Sequence, residues 1–96
     1  MQERREHLLE ELRKAKQARD LLRELEPHLT EEKGLELERH LTRLERLAQS
    51  LPEAHIVRLV IESALEPTNM GSVSRARFAI EGEISTLQGA LHYKAT

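Results

Sequence analysis

Five histidines, numerous for a chain of 96 residues, are the side chains best suited to bind a metal: His7, His28, His40, His55 and His92. Metal sites on helices need several converging ligands, as in HExxH or in the Glu-x-x-His pairs of di-iron bundles, and neither pattern occurs here. Glu3 and Glu36 each precede a histidine by one helical turn, but no further ligand set accompanies them. We therefore expect histidines at the surface or near helix ends, and no metal or other cofactor.

Side chains for covalent or acid–base catalysis are poorly represented. The chain has no cysteine, and Asp20, the single aspartate, lies in a highly charged stretch. No serine or threonine occupies a nucleophile elbow or lies beside an identifiable base, and no glycine-rich loop could cradle a phosphate. Gly71 and Ser72 could offer backbone amides to an anion, but a turn followed by a helix cap explains the pair without a ligand. The sequence therefore predicts that the protein is not an enzyme.

Basic side chains recur at one-turn spacing along two helical faces and could follow the phosphates of a nucleic acid. The two strips are Lys16, Arg19 and Arg23, and Arg39, Arg43 and Arg46. Acidic residues interleave with both strips, and no aromatic residue accompanies them to stack on bases. We therefore expect these faces to be solvated or salt-bridged. Arg75 and Arg77 lie in a stretch with few charges, where they could contact an acidic partner or nucleic acid.

Composition indicates the kind of elements that must position these residues. Leucine is abundant, a third of the residues are charged, and Phe78 and Tyr93 are the only aromatics, which is typical of long helices and coiled coils. With a formal charge of −2, the chain has no global attraction to nucleic acid or anionic membranes. No signal peptide is visible, and the apolar stretch 56–61 is interrupted by Arg58 and is too short to span a bilayer. We expect a soluble, cytoplasmic, all-α protein.

Residues 1–50 hold 11 of the 15 Lys and Arg residues and 12 of the 17 Asp and Glu residues. Their first apolar stripe predicts a helix that ends before Pro27, and it consists of Leu8, Leu12, Ala15, Ala18, Leu22 and Leu25. A second helix, capped by Thr30 with Glu31 and Glu32 in its first turn, has a stripe at heptad spacing: Leu37, Leu41, Leu44, Ala48 and Leu51. The short connection predicts a long antiparallel, coiled-coil-like hairpin.

Residues 51–96 are more apolar and predict a second pair of helices. Ser50 and Glu53 match a capping box, so a third helix is expected from Pro52 to Leu65. A strand over residues 55–61, which are rich in β-branched side chains, is the alternative. Residues 66–71 are typical of a loop, after which Ser72 or Ser74 can cap the last helix. The sequence thus predicts one helical domain, residues 1–96, with a four-helix, bundle-like architecture.

The last helix contains two glycines, although each costs a helix interior about 1 kcal/mol relative to alanine. Its small residues form one strip: Ala76, Ala79, Gly82, Thr86 and Gly89. Its apolar residues form a neighbouring strip: Ile80, Ile84, Leu87 and Leu91. Small side chains let another helix backbone approach closely, and the added van der Waals contacts would offset the propensity loss. We expect this helix to pack at a subunit or partner interface; packing inside its own chain is the alternative.

The last helix also resembles the C-terminal helices of small helical accessory proteins of bacteriophages. The resemblance rests on the pattern Arg77-x-x-Ile80-x-Gly82-Glu83-Ile84-x-x-Leu87-x-x-Ala90-Leu91 and is confined to this part of the chain. It implies a role in virion assembly, genome packaging or the takeover of a host protein. It carries over no functional residue.

Two functions are compatible with these features. A short chain buries only a modest core, which favours self-association, so the first is a non-enzymatic helical adaptor that forms a homo-oligomer and binds a protein partner. The alternative is a nucleic-acid accessory factor in which oligomerisation aligns the strips of Arg39, Arg43 and Arg46. Binding to duplex DNA that weakens steeply with salt is expected of the second function and not of the first.

Overall fold

A computed structural model describes residues 2–30 and 35–94, which form four α-helices and one 3₁₀ helix. The α-helices are α1 (Gln2–Leu25), α2 (Leu35–Gln49), α3 (Ile56–Leu65) and α4 (Met70–Lys94), and the 3₁₀ helix (Glu26–Thr30) follows α1 directly. These two ranges contain no strand, so the predicted all-α class is confirmed. They pack into an elongated body of 50 × 21 × 19 Å. Within them, no helix combines the length and the apolar character needed to cross a membrane.

α1 is amphipathic and buries the stripe expected from its sequence. Ala15, Ala18, Leu22 and Leu25 are fully enclosed, whereas most of the intervening positions carry charged side chains. Their spacing of three and four residues keeps them on one face of a helix with 3.6 residues per turn. α1 ends as predicted, and the 3₁₀ turn that follows contains Pro27, which lacks the amide hydrogen that a continuing α-helix would use.

α2 buries most of its predicted stripe against the rest of the chain. The buried members are Leu44, Ala48 and Leu51, and the half-buried ones are Leu37 and Leu41. Leu47, which the heptad spacing leaves out, is buried as well, because a helix packed on a globular core presents a wider apolar face than a coiled-coil seam. Thr30 ends the 3₁₀ helix, and the predicted first turn with Glu31 and Glu32 lies outside the described residues.

α3 begins at Ile56 rather than at Pro52, and its N-cap is His55. The His55 Nδ1 accepts a hydrogen bond of 3.1 Å from the Val57 amide, which satisfies one of the free amides of the first turn. Val57 and Ile61 lie one turn apart and are both buried. The helical interpretation of residues 55–61 is therefore confirmed over the strand alternative.

The predicted capping box between Ser50 and Glu53 is wrong. The Ser50 hydroxyl donates over 2.6 Å to the Leu47 carbonyl and so closes the end of α2 instead of opening α3. The residues that follow form a turn of their own, in which the His55 amide donates over 2.9 Å to the Pro52 carbonyl. Because of this turn, α3 begins only at Ile56, where the His55 ring can serve as its N-cap.

The cap of α4 also differs from the prediction, because Asn69 rather than Ser72 or Ser74 precedes the helix. The Ser72 amide donates to Asn69 Oδ1 over 2.8 Å, and the Asn69 amide donates to Ser72 Oγ over 3.1 Å. The Ser72 hydroxyl donates in turn to the Pro67 carbonyl over 2.6 Å. This reciprocal pair has the geometry of a capping box. The loop is consequently shorter than predicted, and α4 begins at Met70.

α4 packs on α1 more extensively than any other pair of described helices does. Arg23 in α1 contacts Glu81, whereas Glu26 just after α1 contacts Arg77. A later residue of one segment thus meets an earlier residue of the other, so the two helices run in opposite directions. All four helices, together with Leu51, contribute to one apolar core: Leu12, Ala15, Ala18, Leu22, Leu25, Leu44, Leu47, Ala48, Leu51, Val57, Ile61, Ala64, Val73, Ala76, Ile80, Ile84 and Leu87.

The apolar strip of α4 belongs to this core rather than to an external interface. Ile80 is fully enclosed, Ile84 and Leu87 are buried, and Leu91 is half-buried at the end of the strip. Ala76, which the sequence grouped with the small residues, is buried as well. The expectation that Ile80, Ile84 and Leu87 meet another subunit is corrected here, because the helices of the same chain already cover them.

Ile80→Ala is expected to lower the free energy of unfolding by about 2–5 kcal/mol, because it removes a fully buried side chain and leaves a cavity in the core. Phe78→Ala, on the exposed side of the same helix, should change it by less than about 0.5 kcal/mol. Urea denaturation of dilute protein, followed by circular dichroism, measures both. Equal losses in the two variants would contradict the orientation of α4 described here.

Candidate interaction surfaces

His55 joins α3 to α1 and has a structural role. Its Nδ1 accepts a hydrogen bond from the Val57 amide, and its Nε2 is in direct contact with Glu11 Oε2. Both side chains are largely buried, with exposed fractions of 11% for the histidine and 19% for the glutamate. The sequence predicted a histidine near a helix end, and His55 lies at such a position, the N-cap of α3.

The other histidines do not assemble a metal site. His40 is buried, and its Nδ1 has no hydrogen-bond partner. A carboxylate oxygen of Glu24 lies 4.0 Å from that nitrogen, and the ring centroid of His28 lies 4.9 Å from that of His40. His7 and His92 are exposed. Across residues 2–30 and 35–94, no three His, Asp or Glu side chains are close enough together to hold a metal ion.

Arg77 is held by carboxylates of its own chain. Its Nε donates to Glu26 Oε1 over 2.6 Å, and its Nη1 donates to Glu81 Oε1 over 2.9 Å. Arg23 Nη2 approaches the same Glu81 oxygen at 3.5 Å. The hydrogen bonds to Glu26 and Glu81 raise the pKa of Arg77 above its usual high value. Arg77 therefore ties the 3₁₀ turn to α4 and is not the free partner contact that the sequence suggested.

Arg75 and Arg39 are exposed and differ in their neighbours. The Arg75 Nε donates to the Gly71 carbonyl over 3.3 Å, and no carboxylate of the described ranges pairs with its guanidinium. The Arg39 Nη1 donates to Glu36 Oε1 over 3.3 Å. Arg75 thus stays available to an acidic partner, whereas the charge of Arg39 is partly neutralised by its own helix.

Arg43 and Arg46 line a groove between α1 and α2, which we call the basic groove. It has a volume of about 350 Å³. Its lining consists of four basic residues (Arg13, Lys14, Arg43 and Arg46), two uncharged polar residues (Gln17 and Ser50) and two leucines (Leu21 and Leu47). No acidic residue of the described chain belongs to this lining. The structure thus brings two arginines of the predicted strip together with basic residues of another helix.

The positive charge of the basic groove is only partly neutralised. The Arg13 Nε donates to Glu10 Oε2 over 3.1 Å, and this hydrogen bond lowers the pKa of Glu10. Lys14, Arg43 and Arg46 form no ion pair with a carboxylate of the residues that the structure describes. A chain with a formal charge of −2 therefore concentrates cations on one side of the α1–α2 contact.

Sequence reasoning identified one wall of the basic groove and missed the other. Arg13 and Lys14 lie between Leu12 and Ala15, two members of the buried stripe, so the sequence places both basic residues off the buried face of α1. That placement was available from the sequence. Their position opposite α2 was not, because it depends on how the two helices pack.

A second surface, the outer face of α4, lies on the exposed side of that helix. It consists of Phe78, Ala79, Gly82, Ser85, Thr86 and Gly89, all of them exposed. Phe78 is 78% exposed. Exposed positions of α4 from Phe78 to His92 include no Asp, Glu, Lys or Arg, whereas those of α1 are mostly charged. Arg75, one turn before Phe78, is the exposed charge that borders this stretch. In a chain with this many charges, an uncharged stretch of about four helical turns with an exposed aromatic ring is unusual.

No other element of the described chain packs closely against the two glycines of the outer face of α4. A Cβ placed on Gly82 or Gly89 would have no atom of another element within 4 Å in the described structure. The Thr86 hydroxyl donates to the Gly82 carbonyl over 3.1 Å, which is a contact within the same helix. The propensity loss of the glycines is therefore not offset by packing among the chain's own helices.

Gly82→Ala and Gly89→Ala are each expected to raise the stability of the single chain by up to about 1 kcal/mol, because alanine favours the helix and its Cβ meets no obstacle. Gly71→Ala is the contrasting variant. Its Cβ would lie 3.3 Å from the Asn69 Oδ1 that caps α4, so its gain should be smaller or negative. Urea denaturation at low protein concentration measures all three, and a loss of stability at Gly82 and Gly89 would contradict their open surroundings.

Comparison with protein-family models, with curated proteins and with solved structures found no match to this chain. A function for the chain therefore rests on its own residues, and above all on the outer face of α4 and the basic groove.

Proposed function

We propose that this chain is a non-enzymatic helical adaptor that associates with a second copy of itself through the outer face of α4 and binds a protein partner. The observation that carries the proposal is Phe78, which is 78% exposed at the start of a row of exposed, uncharged positions that extends to His92. Leaving such a side chain in water forgoes about 2 kcal/mol of burial. Aromatic residues with few charges around them are typical of the centre of an interface.

The spacing of the outer face suits a helix of the same sequence. Phe78, Gly82, Ser85 and Gly89 recur at intervals of four, three and four residues, which is the alternation of a two-helix seam. In an antiparallel pair about a two-fold axis, Phe78 of one copy lies opposite Gly89 of the other, and Gly82 lies opposite Ser85. Each bulky side chain then meets a glycine, as a self-complementary interface requires.

The positions beside this seam bring no like charges together. In the same antiparallel arrangement, Ala79 lies near Thr86 of the second copy, and Glu81 lies near Gln88. A like-charge contact would oppose association, and this arrangement avoids one. The close approach at the glycines also supplies the packing that the single chain lacks.

The proposal includes the antiparallel hairpin of α1 and α2 that the sequence predicts. Glu24, near the end of α1, lies 4.0 Å from His40 in α2, and Lys14 lines the same groove as Ser50, which follows α2. The hairpin shares no residue with the outer face of α4, so self-association leaves the basic groove open to a partner. The resemblance of the last helix to small phage proteins extends the proposal to virion assembly or to the capture of a host protein.

Phe78→Glu is expected to convert the paired protein into single copies, because pairing would then bury two carboxylates without partners. Size-exclusion chromatography with light scattering over a dilution series measures the mass. Leu59→Glu is the matched control, since Leu59 is a 53% exposed apolar residue on α3, away from the outer face of α4. Its mass should equal that of the unaltered protein.

Gly89→Leu fills the space that Phe78 of the second copy would occupy and should also give single copies. Its melting temperature at low concentration should not fall, because the space around the Cβ is open in the single chain. The mass therefore reports the loss of pairing, and the melting temperature reports any loss of stability. The proposal fails if the unaltered protein is a single copy in high-micromolar solution, or if both substitutions leave a dimer intact.

A nucleic-acid accessory function is the second candidate, and the basic groove supports it by adding Arg13 and Lys14 to Arg43 and Arg46. Binding to a labelled DNA duplex is then expected at low salt and should weaken by about tenfold or more at moderate salt, as counterions compete for the phosphates. Fluorescence anisotropy measures both affinities. No binding at low salt would exclude this candidate and leave the adaptor function.

A further inference from the structure

The geometry points to the basic groove as the docking site for an acidic amphipathic helix of a partner protein. The groove combines an apolar floor with a basic wall on either side. The floor consists of Leu21 and Leu47, and the walls consist of Arg13 and Lys14 from α1 and of Arg43 and Arg46 from α2. A helix with a narrow apolar stripe flanked by carboxylates has the complementary arrangement, and grooves between helices are a common site for such ligands.

Charge complementarity supports this occupant. Arg43 and Arg46 have no ion-pair partner among the described carboxylates, and Lys14 is attracted to Glu10 without forming a direct ion pair, so a ligand would not have to displace a partner from either arginine. Arg43 and Arg46 are exposed, so their attraction for carboxylates contributes mainly to the rate and the specificity of binding. Arg43 and Arg46 are one helical turn apart, and carboxylates at the same spacing on a ligand helix can therefore pair with both.

The apolar floor favours a peptide over a nucleic acid. Leu21 is half-buried and Leu47 is 8% exposed, and an apolar side chain of the ligand would complete their burial. A sugar–phosphate backbone would instead place charged groups over the leucines. The lining described above also contains no aromatic side chain on which bases could stack.

The inference goes beyond self-association and does not depend on it. The basic groove and the outer face of α4 have no residue in common. A protein that remains a single copy can therefore still bind the acidic helix, and a dimer can fail to bind it. Measurement of mass and measurement of peptide binding distinguish the two failures.

The test uses a fluorescein-labelled synthetic peptide built from repeats of Glu-Glu-Leu-Leu, titrated with the full chain and followed by fluorescence anisotropy. Saturable binding is expected, and Arg43→Glu/Arg46→Glu should weaken it by about tenfold or more, because the reversed charges repel the peptide. Arg4→Glu/Arg5→Glu, an equal change of charge at exposed positions outside the groove, should weaken it by no more than about twofold. Leu21→Ser should also weaken binding, since it removes part of the floor.

A charge-swapped peptide built from repeats of Lys-Lys-Leu-Leu provides the rescue. It should bind Arg43→Glu/Arg46→Glu more tightly than it binds the unaltered chain, while circular dichroism confirms that each variant is folded. The inference is overturned if the two double variants weaken binding equally, or if replacing every leucine of the acidic peptide by serine leaves its affinity unchanged. It is also overturned if oligothymidine of equal charge binds the groove as tightly as the peptide.

Discussion

The packing of α1 against α4 is the contact on which the rest of the structure depends. Leu22 and Leu25 of α1 and Ile80 of α4 are fully enclosed, and this helix pair shares the most extensive contact in the described chain. A chain of 96 residues has room for only one such core, and aliphatic side chains supply nearly all of it here. The ion pair between Glu26 and Arg77 lies beside this core and joins the segment after α1 to α4, so charge and apolar burial specify the same arrangement.

The orientation of α4 follows from that contact and determines what the molecule offers to others. Once Ile80 and Ile84 face the core, helix geometry turns Phe78, Gly82 and Gly89 toward solvent. Gly82 and Gly89 therefore do not serve packing within the chain, although they lower the helix propensity of α4. In a single chain, the exposed ring of Phe78 forgoes the free energy that its burial would contribute. A second copy of the same helix would bury the ring and recover that free energy.

The same packing determines which charged side chains pair within the chain and which ones face solvent. Arg77 and Arg23 both contact Glu81 of the same chain. Arg43 and Arg46 of α2 instead lie opposite the basic residues of α1 in the basic groove. Surface ion pairs contribute little to stability, so the absence of ion pairs at Arg43 and Arg46 lowers the free energy of unfolding only slightly. It leaves a groove whose basic walls and leucine floor suit an acidic amphipathic helix, separate from the face that suits self-association.

The sequence by itself determined the helical class, the buried stripe of α1 and the end of that helix before Pro27, because these features depend on residues within a turn or two of one another. It also identified Arg43 and Arg46 and the small residues of α4. Only the tertiary structure decided that His55 caps α3, since its ring is held by Glu11 of a distant helix. It likewise turned four of the small residues outward, buried Ala76, and placed Arg43 and Arg46 across from α1. The physical reason is that periodicity is a property of one helix, whereas orientation and juxtaposition result from packing between segments far apart in the chain.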